Sequence, residues 1–162
     1  VASSHFNFTI LEPMGVVGIV APEENSLLGL ISSIIPVILS GNTCVAIASE
    51  TLPLCAISLA EVISNSDVPN GVVNIITGSK DELSPHLAQH MDVNALGIHI
   101  GKKELKNQMF FQASNNLKRV VDVSKYKIED SSFESPYIVK KFMEAKTTWH
   151  PIEKDFSSTN NY

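Results

Sequence analysis

No lysine or arginine precedes Lys80 in this chain of 162 residues, and Arg119 is its only arginine. A phosphate meeting the first half would find only backbone N–H groups and a helix N-terminus. With 12 basic and 17 acidic residues the net charge is −5, which argues against bulk attraction to nucleic acid or anionic lipid. Cysteine is scarce. Cys44 and Cys55 both sit in apolar surroundings and read as reduced thiols, not as a disulfide framework. Long apolar runs are missing as well. The longest, Leu27 to Leu39, is interrupted by Ser32 and Ser33, broken by Pro36, and too short for ~30 Å of hydrocarbon. No membrane or nucleic-acid partner is therefore expected. The chain starts at Val1 and its first methionine is Met14, so it reads as an N-terminally truncated piece of a longer protein. With no charged-then-apolar leader and few cysteines, the expected compartment is the cytoplasm. Asn7-Phe8-Thr9 is a formal glycosylation sequon in a context that does not look secreted.

What is present is a regular alternation. Val16-Val17-Gly18-Ile19-Val20 is a β-branched run that reads as a strand buried on both faces. Asn25-Ser26 offers a cap for a helix from Leu27 to Ser40, kinked at Pro36 and closed by Gly41-Asn42. A second strand falls at Cys44 to Ala48, and a helix runs from Pro53 to Asn65. Residues 67–71 are turn-like. A third strand spans Val72 to Thr77, ended by Gly78-Ser79. A short helix follows over Glu82 to His90, with Pro85 in its first turn. A fourth strand covers Ala95 to Ile100, a helix Lys102 to Asn115, and a fifth strand Lys118 to Val123. Strand and helix alternate throughout. That pattern predicts an α/β fold, a doubly wound, mostly parallel sheet with helices on both faces. From Ser124 the pattern weakens: a polar loop to 136, a short helix over Tyr137 to Glu144, then an edge strand or extended arm over Ala145 to Trp149. The lysines from Lys80 onward lie among acids and read as solvated surface. Phe110, Phe111 and Trp149 read as packing residues, with partner contact a second use for Trp149. His86 and His90 share a helix face but lack a third ligand, so no metal site is expected.

Several segments, in order, resemble the cofactor domain of aldehyde dehydrogenases. Glu12-Pro13-Met14-Gly15-Val16-Val17-Gly18-Ile19 is similar to the strand that enters that domain. Ser40-Gly41-Asn42-Thr43-Cys44-Val45, Glu50-Thr51-Leu52-Pro53-Leu54 and Leu59-Ala60-Glu61 follow. Val68-Pro69-Asn70-Gly71-Val72-Val73-Asn74-Ile75-Ile76-Thr77-Gly78, Asp92-Val93 and Asn116-Leu117-Lys118-Arg119-Val120 complete the likeness, over roughly residues 11–121. The resemblance implies the α/β fold of that family's NAD domain and an NAD(P) cofactor. It implies partners that are other aldehyde-dehydrogenase-like modules or subunits, in a homo- or hetero-oligomer. By the same likeness Glu50 matches the ribose-binding glutamate, Gly101 stands within one residue of the first glycine of the cofactor turn, and Gly78 closes the third strand. Glu50, Gly78 and Gly101 are thus the candidate cofactor-binding residues.

The departures from the family pattern carry the functional expectation. The oxyanion asparagine falls on Glu24, where a carboxylate opposes a developing oxyanion; Asn25 is one position away. The adenosine-contacting lysine falls on Ile47. The second glycine of the cofactor turn falls on Leu105 or Lys106, whose side chains would crowd a pyrophosphate. The general-base glutamate finds only Asp122, one position off. No cysteine follows Cys55, so the thiol nucleophile is missing; Cys44 and Cys55 match core positions. No catalytic residue is assigned, and NAD(P) binding is expected to be weak or absent. The expected function is a catalytically inactive aldehyde-dehydrogenase-like domain with a structural or interaction role in a larger protein. The alternatives are a fragment of an active NAD(P)-dependent enzyme whose thiol lies outside this chain, and a residual NAD-binding sensor. Ala145-Lys146-Thr147-Thr148-Trp149-His150-Pro151 resembles the C-terminal end of the two-module aldehyde dehydrogenase family 16, whose second module looks like a decayed dehydrogenase. The expected organisation is a cofactor-type domain over 1–123, a loop, short helix and C-terminal arm over 124–152, and a flexible tail over 153–162.

Overall fold

Five short, mostly apolar runs become the five strands of one parallel sheet. The computed structural model describes residues 4–130, 133 and 135–152; the tail expected over 153–162 lies outside the described residues. In chain order the elements are β1 (His5–Pro13), β2 (Val16–Val20), α1 (Ser26–Leu39), β3 (Thr43–Ile47), α2 (Leu54–Ser64), β4 (Val73–Ile76), α3 (Lys80–Gln89), β5 (Ala95–Ile98), α4 (Lys103–Ser114), β6 (Arg119–Asp122), α5 (Pro136–Lys140) and β7 (Met143–Pro151). The sheet order is β4-β3-β2-β5-β6, all parallel. The chain winds outward from β2 in one direction and then in the other, as the alternation predicts.

Both faces of the sheet are covered. Leu30, Ile34 and Val37 of α1 pack with Val17, Ile19, Cys44 and Ala46, joined by Ile138 of α5 and Phe142. On the opposite face Leu105, Met109 and Ala113 of α4 and Ala88 of α3 pack on Val20, Ile47, Leu96 and Ile98. Leu105, Met109 and Ala113 recur every four residues, so Phe110 and Phe111 turn outward. They are exposed, Phe111 to 73%, as is Trp149, to 57%; the packing role expected for all three does not hold. Nor are all the lysines solvated surface. Lys80 and Lys118 are each only 8% exposed. The Lys118 ammonium donates to the carbonyls of His90 and Val93, bracing the end of α3 against the start of β5.

Strand β2 has the bounds read from the sequence, Val16–Val20, and the segment Glu12–Ile19 likened to the family's entry strand spans the end of β1, the turn at Gly15 and the start of β2. Gly15, at φ 120°, turns the chain, so β1 leaves the parallel sheet and pairs antiparallel with β7. These two nine-residue strands form a separate ribbon. Three local expectations also shift. Helix α3 begins at Lys80 rather than Glu82, because the Glu50 carboxylate accepts the Lys80 backbone N–H at 3.0 Å. Pro85 therefore lies inside the helix, where it forfeits the bond to the Asp81 carbonyl. Asn25 stands at the N-cap of α1 in left-handed conformation, φ 53°, but makes no side-chain cap. The helix expected over Tyr137–Glu144 is the shorter α5, capped by Ser135, and the chain is extended again from Met143.

One buried side chain joins the ribbon to the sheet. Asn42 accepts the Gly15 N–H at 2.8 Å, and its amide donates to the Phe142 carbonyl at 2.8 Å and to the Ser40 hydroxyl at 2.7 Å. Asn42→Ala leaves the Gly15 N–H and the Phe142 carbonyl without these partners. It should lower stability by about 2–4 kcal/mol, read as a fall in the urea unfolding midpoint at unchanged slope.

Candidate functional site

In a doubly wound sheet, loops leave the carboxyl ends of neighbouring strands in opposite directions and open a crevice between them. Here β2 and β5 are those strands, and the loops after β2, β3, β5 and β6, with the start of α3, border a cavity of about 830 Å³. The loop after β2 contributes Pro22 to Asn25, and that after β3 Glu50 and Thr51. Lys80 and Asp81 come from the start of α3, His99 to Lys102 from the loop after β5, and Ser124 and Tyr126 to Glu129 from beyond β6.

Glu23 organises one wall. Its carboxylate accepts from the Ser49 hydroxyl at 2.8 Å, the Thr51 hydroxyl at 2.9 Å, and the backbone N–H groups of Glu50 and Thr51 at 3.1 and 3.2 Å. It also pairs with the Lys80 ammonium, which in turn donates to the Ala21 carbonyl. Burial alone would raise the Glu23 carboxyl. The Lys80 ammonium, the Glu50 N–H, the Ser49 hydroxyl and the Thr51 N–H outweigh it and hold the group at about 2. Three strand ends thus meet on one anion. The fit follows from parallel geometry: the ends of β2, β3 and β4 come into line, so residues 26 to 57 positions apart in the chain become neighbours.

The other wall carries His99, whose imidazole feels the charges of Asp122 and Lys106. Burial, then the charge of Lys80, lowers the His99 imidazole below its ordinary value, so it is neutral at pH 7. Asp122 is bonded to Ser124 and paired with Lys106 at 3.2 Å; burial raises its carboxyl, and the Ser124 and Lys106 contacts more than reverse that. Farther out, Lys102 pairs with Asp81 at 2.5 Å and the Asn25 amide donates to Glu129. Around the cavity five carboxylates, Glu23, Glu24, Glu50, Asp81 and Glu129, face three ammonium groups, Lys80, Lys102 and Lys127.

Of the three candidate residues, Glu50 and Gly101 border the cavity and Gly78 does not. Glu50 holds the first N–H of α3. Gly101 faces open space: a Cβ there would meet nothing within 4 Å. Gly78 adopts φ 155° at the turn between β4 and α3, against Leu83. Ile47 is buried in the sheet, and Glu24 is exposed at the rim. Neither cysteine borders the cavity. Cys44 is buried, which pushes its thiol up to about 11, and Cys55 is half-buried on α2; both are free thiols. Sequence reasoning missed Glu23, Lys80 and His99. The available signal was position: Glu23 and Lys80 each follow the end of a predicted strand by three residues, whereas His99 fell inside the strand expected over Ala95 to Ile100, which ends at Ile98.

Comparison with known proteins follows the same outline. The profile of the aldehyde dehydrogenase family matches residues 1–122. Hydroxyisobutyraldehyde dehydrogenase of Mycolicibacterium austroafricanum is 38% identical over 96 residues, 59% of this chain and 19% of that protein. Aldehyde dehydrogenase, cytosolic 1, of Elephantulus edwardii is 33% identical over 115 residues, 71% of this chain and 23% of that protein. A crystal structure of a mutant aldehyde dehydrogenase C from Pseudomonas syringae, in complex with NAD+ and octanal, superposes with TM-score 0.67 at 29% identity, over 70% of this chain and 23% of that one. The chain thus spans about a quarter or less of the length of these relatives.

The acid linkage of Glu23 has a definite sign. Its folded-state pKa lies below the unfolded value, so its stabilisation is complete above about pH 5 and is lost as pH falls toward 2. The melting temperature should therefore drop between pH 5 and pH 2, and Glu23→Gln should flatten part of that slope. At pH 7 the same substitution should cost about 1 kcal/mol, a figure reduced for the screening of a carboxylate whose side chain is 40% exposed.

Proposed function

The chain belongs to the aldehyde dehydrogenase family, and from that premise we propose that it is a catalytically silent module of that family whose role is assembly or partner contact within a larger dehydrogenase-like protein. In this reading residues 1–123 are the cofactor-type domain and 124–152 the connecting loop, short helix and arm. The likeness of residues 145–151 to the end of the two-module family 16 supports placing the chain in the second, decayed module of such a protein. Free cysteines suit a reducing compartment, the cytoplasm.

The observation that carries the reading is the Glu23–Lys80 clasp. NAD(P) brings a pyrophosphate that needs open backbone N–H groups or an unshared cation. The crevice offers neither on this wall. The N–H groups of Glu50 and Thr51 and the Lys80 ammonium already hold the Glu23 carboxylate, and the first N–H of α3 is held by Glu50. Carboxylates outnumber ammonium groups around the cavity. The residues of this wall do not fit the cofactor's pyrophosphate. Any residual affinity would run through Glu50, Gly78 and Gly101. The catalytic side is equally unsupported: oxidation of an aldehyde by this family's route begins with attack of a thiolate on the carbonyl carbon, and no thiol borders the crevice. Glu24 at the rim presents a carboxylate where an oxyanion needs a donor.

Calorimetric titration of the folded chain with NAD and NADP should give no saturable heat up to millimolar nucleotide, and the chain should not reduce NAD in the presence of aldehydes. Micromolar saturable binding would overturn the silent-module reading in favour of a sensor or of a fragment of an active enzyme.

A further inference from the structure

The turn that leads into β4 carries chemistry of its own. It runs from Pro69 to Val72, and the Val72 N–H donates to the Pro69 carbonyl at 3.2 Å. Gly71, third of the four residues, has φ 84°. That bond and that angle belong to a type II turn, whose third position favours glycine. Asn70 and Gly71 are both exposed. Asn70 is also the only asparagine of the chain that a glycine follows. Among the described residues, neither the Asn70 side chain nor the Gly71 N–H finds a hydrogen-bond partner. A Cβ on Gly71 would meet nothing within 4 Å, so no neighbour walls the turn off. Asn25, Asn42, Asn65, Asn74 and Asn94 differ on both counts. Each has its side-chain amide in a hydrogen bond, and each is followed by a residue with a side chain. The start of β4 rests on this turn. The Asn74 amide donates to the Gly71 carbonyl at 2.9 Å and to the Cys44 carbonyl at 3.1 Å, which ties the turn to β3. The Cys44 N–H donates to the Val72 carbonyl at 2.8 Å. As an edge strand, β4 is held by β3 alone.

We propose that Asn70-Gly71 is a site of spontaneous covalent modification, at which Asn70 deamidates through an imide ring closed by the Gly71 nitrogen, and that the product loosens β4 from β3. Asparagine is among the thermolabile residues. The Gly71 nitrogen gives its proton to hydroxide and attacks Cγ of Asn70. The Cγ–Nδ2 bond breaks, and the leaving nitrogen takes up a proton and departs as ammonia. Water then adds to one of the two ring carbonyls. Addition at Cγ breaks the bond from Cγ to the Gly71 nitrogen and leaves aspartate in an ordinary peptide. Addition at the main-chain carbonyl breaks the peptide bond and leaves isoaspartate, with the chain running through Cγ and one methylene longer. Water and hydroxide are the only co-reactants, and nothing is oxidised or reduced. Glycine matters because the attacking nitrogen must come close to Cγ, and glycine sets no Cβ in the way. Either product adds one negative charge to a chain already at −5. The lengthened form also shifts the Gly71 carbonyl against the Asn74 amide and the Val72 carbonyl against the Cys44 N–H. Those are the bonds that dock the start of β4. The chemistry is independent of what the crevice holds.

The test ages the full chain in mildly alkaline buffer at physiological temperature. Ammonia release is followed, with peptide mass mapping and electron-transfer fragmentation, which separates aspartate from isoaspartate. Amide hydrogen exchange reads the sheet. Asn70 should convert at least about tenfold faster than Asn65 or Asn94, whose following residues carry side chains. The rate should rise with pH, because the attacking nitrogen must lose its proton. Isoaspartate should be among the products, and the Cys44 amide should exchange faster in the aged chain than in the fresh one. Asn70→Gln keeps an exposed amide on a longer side chain that closes the ring far more slowly. It should age without modification in this turn and without the change at Cys44. Circular dichroism checks that each sample is folded. Conversion of Asn65 or Asn94 ahead of Asn70 would overturn the site, as would an Asn70 that stays intact in the folded chain while it converts in urea. Isoaspartate at position 70 with unchanged exchange at Cys44 would refute the loosening of β4.

Discussion

The strand ends on one side of the sheet are held to one another by a single carboxylate. Glu23 collects donors from the loop after β3 and from the first residue of α3, while its own loop follows β2. Parallel strands present their carbonyl ends together, and the loops that leave them need something to replace bulk water. In this chain that partner is internal. The same geometry that elsewhere makes such a crevice a receptacle here makes it self-satisfied: the cation that could meet an incoming anion is committed to an anion of its own. The remaining groups follow from that choice. Glu50, released from any need to reach across the crevice, turns to the start of α3, and His99 is left neutral beside Lys80.

A second pin works at the other end of the strands. Asn42 gathers the turn before β2, the end of α1 and the residue that leads into β7. The two polar clusters divide the labour. One closes the crevice; the other fixes where the ribbon leaves the body. Between them the sheet is apolar on both faces, and nothing in its packing depends on a ligand.

Much of this was legible in the residues. Strands buried on both faces read as near-continuous apolar runs, as β2, β3 and β5 do; β4 and β6 are partly exposed and carry Asn74, Arg119 and Asp122, and all five boundaries fall within about two residues of expectation. The colinear segments from Glu12 to Val120 pointed to the right family. The ribbon was not legible as a pair. β1 and β7 are exposed on both faces, so neither carries the alternation that marks a half-buried strand, and no local signal joins sequence ends so far apart. The crevice was half legible. Attention to Glu24, Asn25 and Ile47 found what had been lost from the family pattern. It missed what had been gained, because the bond between Glu23 and Lys80 depends on the stacking of three strand ends, which no spacing within one segment reveals. The expectation that Lys80 and Lys118 are solvated failed for a related reason: each finds backbone carbonyls that only the folded sheet brings within reach.

The ribbon also sets an order of events for the growing chain. Thr9 and Thr147 are partners 138 positions apart. At roughly 5–20 residues per second of synthesis, β1 emerges about 7 to 28 seconds before the strand that completes it. The parallel sheet can wind through β6 in that interval, while β1 waits with both of its edges unpaired. Joining strands so distant in sequence carries a high loop-closure cost and belongs to the late, slow class of folding events. Nascent β1 is thus a stretch rich in aromatic and aliphatic residues that waits unpaired until the body it belongs to is nearly finished.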